Sequence, residues 1–492
     1  MMIRSILGAL VIASLPVMPV FAENLTPEEI KKLVDEAVEK RLQERERREG
    51  TTEQREGTAT PAVEPGIGSL PEVGRERRTS QAQPLSFSSS GSGRLIYAKP
   101  FVSFPKAIVG GYFDIQYRTH RHSVLESGRD GGTTNGFDQQ RFVPFIYADI
   151  TEHLKFASEI EIEHGIRATN DVEISLEFAH VDYLIHEKVN LRGGVVLIPL
   201  GKFNLLHDSP LNDLTDRPIV SRLIIPSTMS ETGAGLYGTF YPGRTGKLDY
   251  EVYFTTGPCG YNSDGEPRIT ETGGTKDTRQ RKCGSADGLD INNGKAVSGR
   301  LAFSPVLGVE VAGSGYFGNQ SATSYNPLSI FAIDWTIQKG PFELIGEAAW
   351  AHARGNSRAI TGSTFGGFSP GSLLTGVNTL NPLGLPPERM QGFYIQGNYH
   401  FMPSFLTKLS PKRFGEGSTF TAVIRYDRVN LNLANKGENG GELEQISFGL
   451  NYRPVEDAVI KMSYQYMPKS LNPNNDQRIH DSAFVISAAT YF

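Results

Sequence analysis

Gln445-Ile-Ser-Phe-Gly-Leu-Asn-Tyr-Arg453 is the stretch from which the whole chain can be read. Ile446, Phe448, Leu450 and Tyr452 fall on one side of an extended backbone; Gln445, Ser447, Gly449, Asn451 and Arg453 fall on the other. Side chains alternate along a strand, so this is one apolar face and one polar face. Ile460-Lys-Met-Ser-Tyr-Gln-Tyr466 repeats the pattern, with Lys461, Ser463 and Gln465 on the polar row. Upstream, Phe156, Ile160 and Ile162 oppose Lys155, Glu159, Glu161 and Glu163. Phe142, Ile146, Ala148 and Ile150 oppose Arg141, Tyr147 and Asp149, and Trp335 and Trp350 also fall on apolar rows. The last stretch, Phe484-Val-Ile-Ser-Ala-Ala-Thr-Tyr-Phe492, carries an apolar row that ends on an aromatic. Alternation alone suits a half-buried soluble sheet or a membrane barrel. Segments of about ten residues match a tilted membrane crossing, and a closing strand with an aromatic at the interface suits a barrel.

Sixteen such strands are predicted, near 108–118, 141–150, 153–164, 172–187, 190–199, 233–241, 248–256, 297–304, 307–317, 328–338, 342–352, 391–401, 419–429, 443–453, 458–467 and 483–492. After Phe178 the apolar row changes phase to Ala179, Val181, Tyr183 and Ile185, which predicts a β-bulge. Connections alternate between long and short, as in a bacterial outer-membrane barrel. The exception is 402–418, long where a tight turn is due; a missed hairpin or a periplasmic insertion would explain it. The expected fold is all-β: a sixteen-stranded antiparallel transmembrane β-barrel over 108–492, both ends of which face the periplasm.

Charge is nearly balanced, 49 Lys+Arg against 54 Asp+Glu, and nothing in it points to nucleic acid. Residues 1–22 combine Arg4, an apolar run from Ile6 to Val20 and a small-residue site at Ala22, the marks of a secretory signal. In 23–49, Leu25, Ile30, Leu33, Val34, Ala37, Val38 and Leu42 recur at helical spacing behind Thr26-Pro27-Glu28-Glu29. The stripe is narrow, as in a coiled coil, and so short a helix needs partners to be stable. The segment 50–107 has the composition of a flexible linker. Cys259 and Cys283 lie in one Gly- and Asp-rich stretch and are expected to clip a loop as a disulfide.

Sixteen strands enclose a lumen too wide for wall side chains to fill. The default is a water-filled channel set by its narrowest point. The connection 200–232 is the candidate constriction loop: Phe203, Leu205, Leu206 and Leu211 can pack on a wall, while Lys202, His207, Asp208, Asp213, Asp216, Arg217 and Arg222 meet water. The polar rows place Arg118, Arg141, Glu159, Glu161, Glu163, Arg192, Arg300 and Arg425 on the lumen wall. Opposed ladders would create a transverse field; simple wetting of the lumen wall is the plainer outcome. No nucleophile motif, metal-spaced His pair or phosphate-binding Gly loop is present, so neither enzyme chemistry, cofactor nor metal is expected; His120 and His122 read as solvated loop residues.

Gly111-Tyr-Phe-Asp-Ile-Gln-Tyr117, Leu154-Lys-Phe-Ala-Ser-Glu-Ile-Glu161 and Gly193-Gly-Val-Val-Leu-Ile-Pro-Leu-Gly-Lys-Phe-Asn204, followed by Glu231-Thr-Gly-Ala-Gly235, resemble the phosphate-selective porin O/P-like family. The resemblance implies a sixteen-stranded, usually trimeric, general or anion-preferring channel, with a trimerising role for the helix. Phosphate selectivity itself departs from the residues, because three Asp dilute Lys202, Arg217 and Arg222. The expected partners are outer-membrane lipid, the barrel-assembly machinery, small solutes and further copies of the chain as a homotrimer, with Phe492 as the assembly signal. The competing expectation is a structural or adhesive barrel that anchors a periplasmic helix and presents surface loops.

Overall fold

The computed structural model describes residues 107–121, 133–164, 173–261, 267–270, 273–279, 294–321, 325–354, 387–415, 417–434, 441–470 and 479–492. The expected signal, helix and linker before residue 107 lie outside the described residues, as does Cys283.

Sixteen strands form one sheet closed on itself. They are β1 (Ala107–Arg121), β2 (Thr133–Asp149), β3 (Leu154–Glu163), β4 (Glu173–His186), β5 (Val189–Leu197), β6 (Ser230–Phe240), β7 (Lys247–Thr255) and β8 (Ala296–Val306). The rest are β9 (Val309–Asn319), β10 (Pro327–Lys339), β11 (Phe342–Ala353), β12 (Arg389–Phe401), β13 (Thr419–Asn430), β14 (Glu442–Val455), β15 (Ala458–Ser470) and β16 (Ile479–Tyr491). Each strand pairs antiparallel with its sequence neighbours, and β16 returns to β1 with Tyr491 opposite Tyr112 and Arg118 opposite Val485. Closure leaves no strand edge unpaired, which a hydrocarbon environment requires.

The two rows of each strand meet different surroundings. On β10, Leu328, Ile330, Ala332, Asp334 and Thr336 point inward and are buried, while Phe331 is 50% exposed beside exposed Ile333 and Ile337. Comparable apolar rows stand exposed on β8, β14 and β15, so the exterior is a lipid-facing surface. At the short-turn rim the outward row becomes aromatic. Phe342 packs on Tyr399 with ring centroids 4.9 Å apart, Tyr399 on Phe401 at 5.6 Å, Phe401 on Phe420 at 5.9 Å and Phe420 on Tyr452 at 4.7 Å. This is an interfacial girdle. The sequence reading placed an aromatic there only at Phe492.

Three details differ from expectation. The β1–β2 hairpin runs further, to Arg121 and back from Thr133. Apart from Ala107 and Phe137 its added residues are polar or Gly (Thr119 to Arg121, Thr133 to Gly136 and Asp138 to Gln140), without apolar alternation, so periodicity could not mark them. The bulge sits at Glu177, one residue before the predicted phase change: Glu159 pairs with Phe178 and Ile160 with Leu176. Glu177 and Phe178 therefore both turn inward. Among its described residues the segment 402–418 holds no hairpin. It carries a one-turn helix, Ser404–Leu409, and its Arg413 carbonyl accepts the Tyr452 hydroxyl at 2.9 Å.

Candidate functional site

Between β5 and β6 the chain turns into the barrel. Asn204 makes the neck: its amide donates to the carbonyls of Ile198 at 2.8 Å and Met229 at 3.0 Å, and its oxygen accepts the Met229 N–H at 2.8 Å. Gly201 makes the turn possible, with φ +67°. A Cβ there would lie 2.3 Å from Glu347 Oε2, and the Gly201 N–H donates to Ser314 Oγ at 2.9 Å. Glu347 then accepts the Phe203 N–H at 3.2 Å and the Ser221 hydroxyl at 3.0 Å.

From this neck the segment is tied to inward side chains around the wall. Lys202 Nζ donates to Thr336 at 2.7 Å and lies 3.4 Å from Glu310. His207 Nε2 lies 2.7 Å from Glu177 Oε2. Asp208 accepts the Tyr491 hydroxyl at 2.8 Å, and the Ser209 carbonyl accepts Lys461 Nζ at 2.8 Å. Arg453 donates to the Pro210 carbonyl at 2.7 Å and to Asp213 at 3.3 Å. Asp213 also accepts from Asn398 at 2.9 Å and from Asn451 at 3.1 Å. Asp216 pairs with Arg118, accepts from Gln465 at 2.5 Å and offers its backbone carbonyl to Arg425 at 3.0 Å. Arg217 donates to the Ser227 carbonyl at 3.1 Å and stands 3.6 Å from Glu161. The short helix α1 (Ile219–Leu223) has its first N–H on Asp427 at 3.0 Å.

Two apolar clusters support these bonds. Leu205 packs with Tyr112, Phe145, Tyr147 and Phe178 on the β1–β4 wall. Ile219, Val220, Leu223 and Ile224 pack with Ile330, Ala351, Met390 and Val429 on the β10–β13 wall. The expected lumen-wall residues accordingly have little open water before them. Arg141 reaches Glu161 at 2.9 Å and Glu163 at 2.8 Å; Arg192 reaches Asp182 at 2.7 Å; Arg300 reaches Asp334 at 2.6 Å; Arg425 reaches Asp427 at 2.7 Å. These partners lie on the same strand or on strands a few positions along the same wall. The picture of opposed ladders across the lumen is therefore corrected: charge is cancelled laterally, because a buried ion needs its partner within reach.

Protonation within the segment follows from burial and neighbours. Burial alone would raise the Asp216 carboxyl, but the Arg118 guanidinium, helped by Arg222 and Gln465, pulls it down to about 2. Burial would lower His207, and the Glu177 carboxylate overrides it, leaving the imidazole above its usual value. Asp208 is raised, by burial first, with His207 and the Tyr491 hydroxyl partly offsetting it.

A small, partly open cavity remains between the segment and the β10–β13 wall. Phe203, Leu206, Leu211, Leu214, Ile345 and Tyr394 give it an apolar side, and Lys202, Asp213, Asp216, Glu343, Gln396 and Arg425 a polar one.

Of the segment residues named from sequence, His207, Asp216 and Arg217 meet the predicted wall residues Glu159, Arg118 and Glu161; Lys202, Asp208 and Asp213 meet others, and Arg222 lies near Asp216 on the segment itself. Cys259, 3% exposed, is disulfide-bonded; its expected partner Cys283 lies outside the described residues. Phe492 exchanges backbone bonds with Gly111 at 3.0 and 3.2 Å and stacks outside on Phe142 at 5.8 Å. Sequence reasoning missed Tyr491, Lys461, Asn398, Asp427 and Asn204 as anchors. Lys461 and Asp427 could have been found, since a charge on an inward row demands a partner.

No known protein-family model matches the chain. An uncharacterized protein of Aquifex aeolicus (strain VF5) is 28% identical over 362 residues, covering 72% of this chain and 74% of that protein. Among solved structures, an anion-selective porin from Comamonas acidovorans superposes with a TM-score of 0.46 at 8% identity, covering 78% of this chain and 99% of that one. The outer membrane channel DcaP of Acinetobacter baumannii gives 0.43 at 10% identity, over 78% and 97%. OmpT, an outer membrane protein of Vibrio cholerae, gives 0.41 at 9% identity, over 80% and 100%. At such values the fold rests on the closed strand ladder itself.

Proposed function

We propose that this chain is a bacterial outer-membrane porin, a passive channel for small hydrophilic or charged solutes, with residues 200–232 as its constriction. The observation that carries the reading is a closed sixteen-stranded wall with an infolded, strapped segment and a small, partly open cavity of mixed polar and apolar lining beside it. A passage beside a packed segment is narrow, so small ions and solutes fit the reading better than large ones. Laterally cancelled charge argues for weak ion selectivity. It does not favour phosphate, because Lys202, Arg217 and Arg222 stand beside Glu310, Glu161 and Asp216.

In planar bilayers the purified protein is expected to give stepwise, ohmic openings. Silence across many insertions would remove the porin reading. The extensive burial of inward residues favours the second reading, a structural barrel that anchors a periplasmic helix and presents surface loops, and silence would select it. In either case 23–49 is proposed as a periplasmic coiled coil that trimerises the protein. Its deletion is expected to convert trimer to monomer on a native gel.

A further inference from the structure

We propose that Glu159, Glu177 and His207 form a divalent-cation site, of the kind that takes Zn²⁺, clasping the infolded segment to the β3–β4 wall. The three come from different places: Glu159 from β3, Glu177 from the bulge of β4, and His207 from the segment. The bulge matters, because without it Glu177 would not turn inward beside Phe178. One ligand atom from each lies within 4.8 Å of the others.

The geometry is close to what an ion needs. His207 Nε2 is 2.7 Å from Glu177 Oε2 and 4.0 Å from Glu159 Oε1. Ligand atoms about 2.0–2.1 Å from a tetrahedral Zn²⁺ stand roughly 3.3 Å apart. One distance must open and the other close by roughly 0.7 Å each, within reach of side-chain rotation. The imidazole is already oriented for it: Nδ1 faces the Asn204 carbonyl at 3.1 Å, which turns Nε2 toward the carboxylates, as in metal-ligating histidines. The other Glu177 oxygen accepts the Thr228 hydroxyl at 2.5 Å, a typical outer-shell support.

A second observation points to a ligand. Glu159 Oε1 is buried, its residue 2% exposed, and no donor among the described residues comes within hydrogen-bond distance of it; His207 Nε2 stands 4.0 Å away. It is the oxygen that faces His207 Nε2. Two buried carboxyl groups side by side are costly to ionise together, and a cation between them relieves that cost. Glu161 and Asp208 add further acids nearby, against Arg141 and Arg217. Two carboxylates and an imidazole suit borderline first-row ions such as Zn²⁺ better than Ca²⁺ or Mg²⁺, which prefer oxygen alone. The site is independent of whether the barrel conducts.

The test is equilibrium dialysis of full-length, chelator-stripped, refolded protein against Zn²⁺, with metal counted per chain. One saturable Zn²⁺ per chain is expected. Glu159→Gln, which keeps shape and should fold, is expected to weaken binding at least ~10-fold, as is His207→Gln. Asp213→Asn, on the same segment but outside the site, is expected to leave it unchanged. Heat-modifiable mobility on gels checks that each barrel is folded. Absence of saturable Zn²⁺ binding by folded wild type, or wild-type affinity in folded Glu159→Gln, overturns the proposal.

Discussion

Tyr491 donates its hydroxyl to Asp208 at 2.8 Å, so the strand that closes the barrel also holds the segment that enters it. The next residue, Phe492, stacks outside on Phe142. Inside and outside of the seam are thus fixed by adjacent side chains pointing opposite ways. Replacing Tyr491 by Phe leaves the ring packed edge-on against Tyr112 but removes a donor from a buried carboxylate. The expected cost is about 1–3 kcal/mol. Urea unfolding in lipid vesicles measures it, and Tyr464→Phe, on the lipid-facing row, should cost much less.

Gly111 belongs to the same seam. A Cβ there would meet the Val143 carbonyl at 2.2 Å and the Phe492 ring at 2.8 Å. Gly111→Ala must therefore push β2 or Phe492 aside, and slower assembly into the heat-modifiable form is expected. Phe492→Ala removes the stack on Phe142, worth about 1 kcal/mol, and the ring's cover over Gly111, but leaves the backbone bonds in place. Folding yield should fall more for Gly111→Ala; the reverse order would show that the aromatic itself, not the close backbone approach, governs closure.

How far the chain could be read ahead of its structure follows from what each feature depends on. The sixteen strands were legible because lipid outside and a packed polar interior impose a period of two, as in Ile446 to Tyr452. The burial of Phe203 and Leu205 could be read from their apolar character, since such residues have no use in an exposed loop. Partners were not legible, since Asp213 with Asn398, Asn451 and Arg453, or Glu177 with His207, meet only after strand register and loop path are set. Lateral cancellation of charge was hidden for the same reason: Arg300 and Asp334 are adjacent in space across β9, not in sequence.

Ion selectivity tests that cancellation. Asp213 neutralises Arg453 while receiving Asn398 and Asn451. Wild-type protein in a salt gradient is expected to show a reversal potential near zero. Asp213→Asn leaves a similar shape, removes a negative charge from the cavity lining and uncovers Arg453, so the anion-to-cation permeability ratio should rise several-fold. A strong anion preference in the wild type would mean that the paired cations still dominate the path.

Acid should release the segment through Asp216. Its carboxyl titrates at about 2 in the folded protein against an ordinary 3.8, held down against burial by Arg118, Arg222 and Gln465. A depressed folded value means that the contribution is fully present above the ordinary value and is lost as pH falls through about 2. The segment should therefore resist an acid protease at pH 4 and become cleavable near pH 2, with rates normalised to an unfolded substrate. Asp216→Asn lacks the charge that Arg118 pairs with, and breaking a buried pair costs about 3–5 kcal/mol. That variant should be cleaved already at pH 4. Equal protection of wild type at both pH values, or a variant as resistant as wild type at pH 4, would show that the apolar clusters around Leu205 and Ile219 hold the segment without this ion pair.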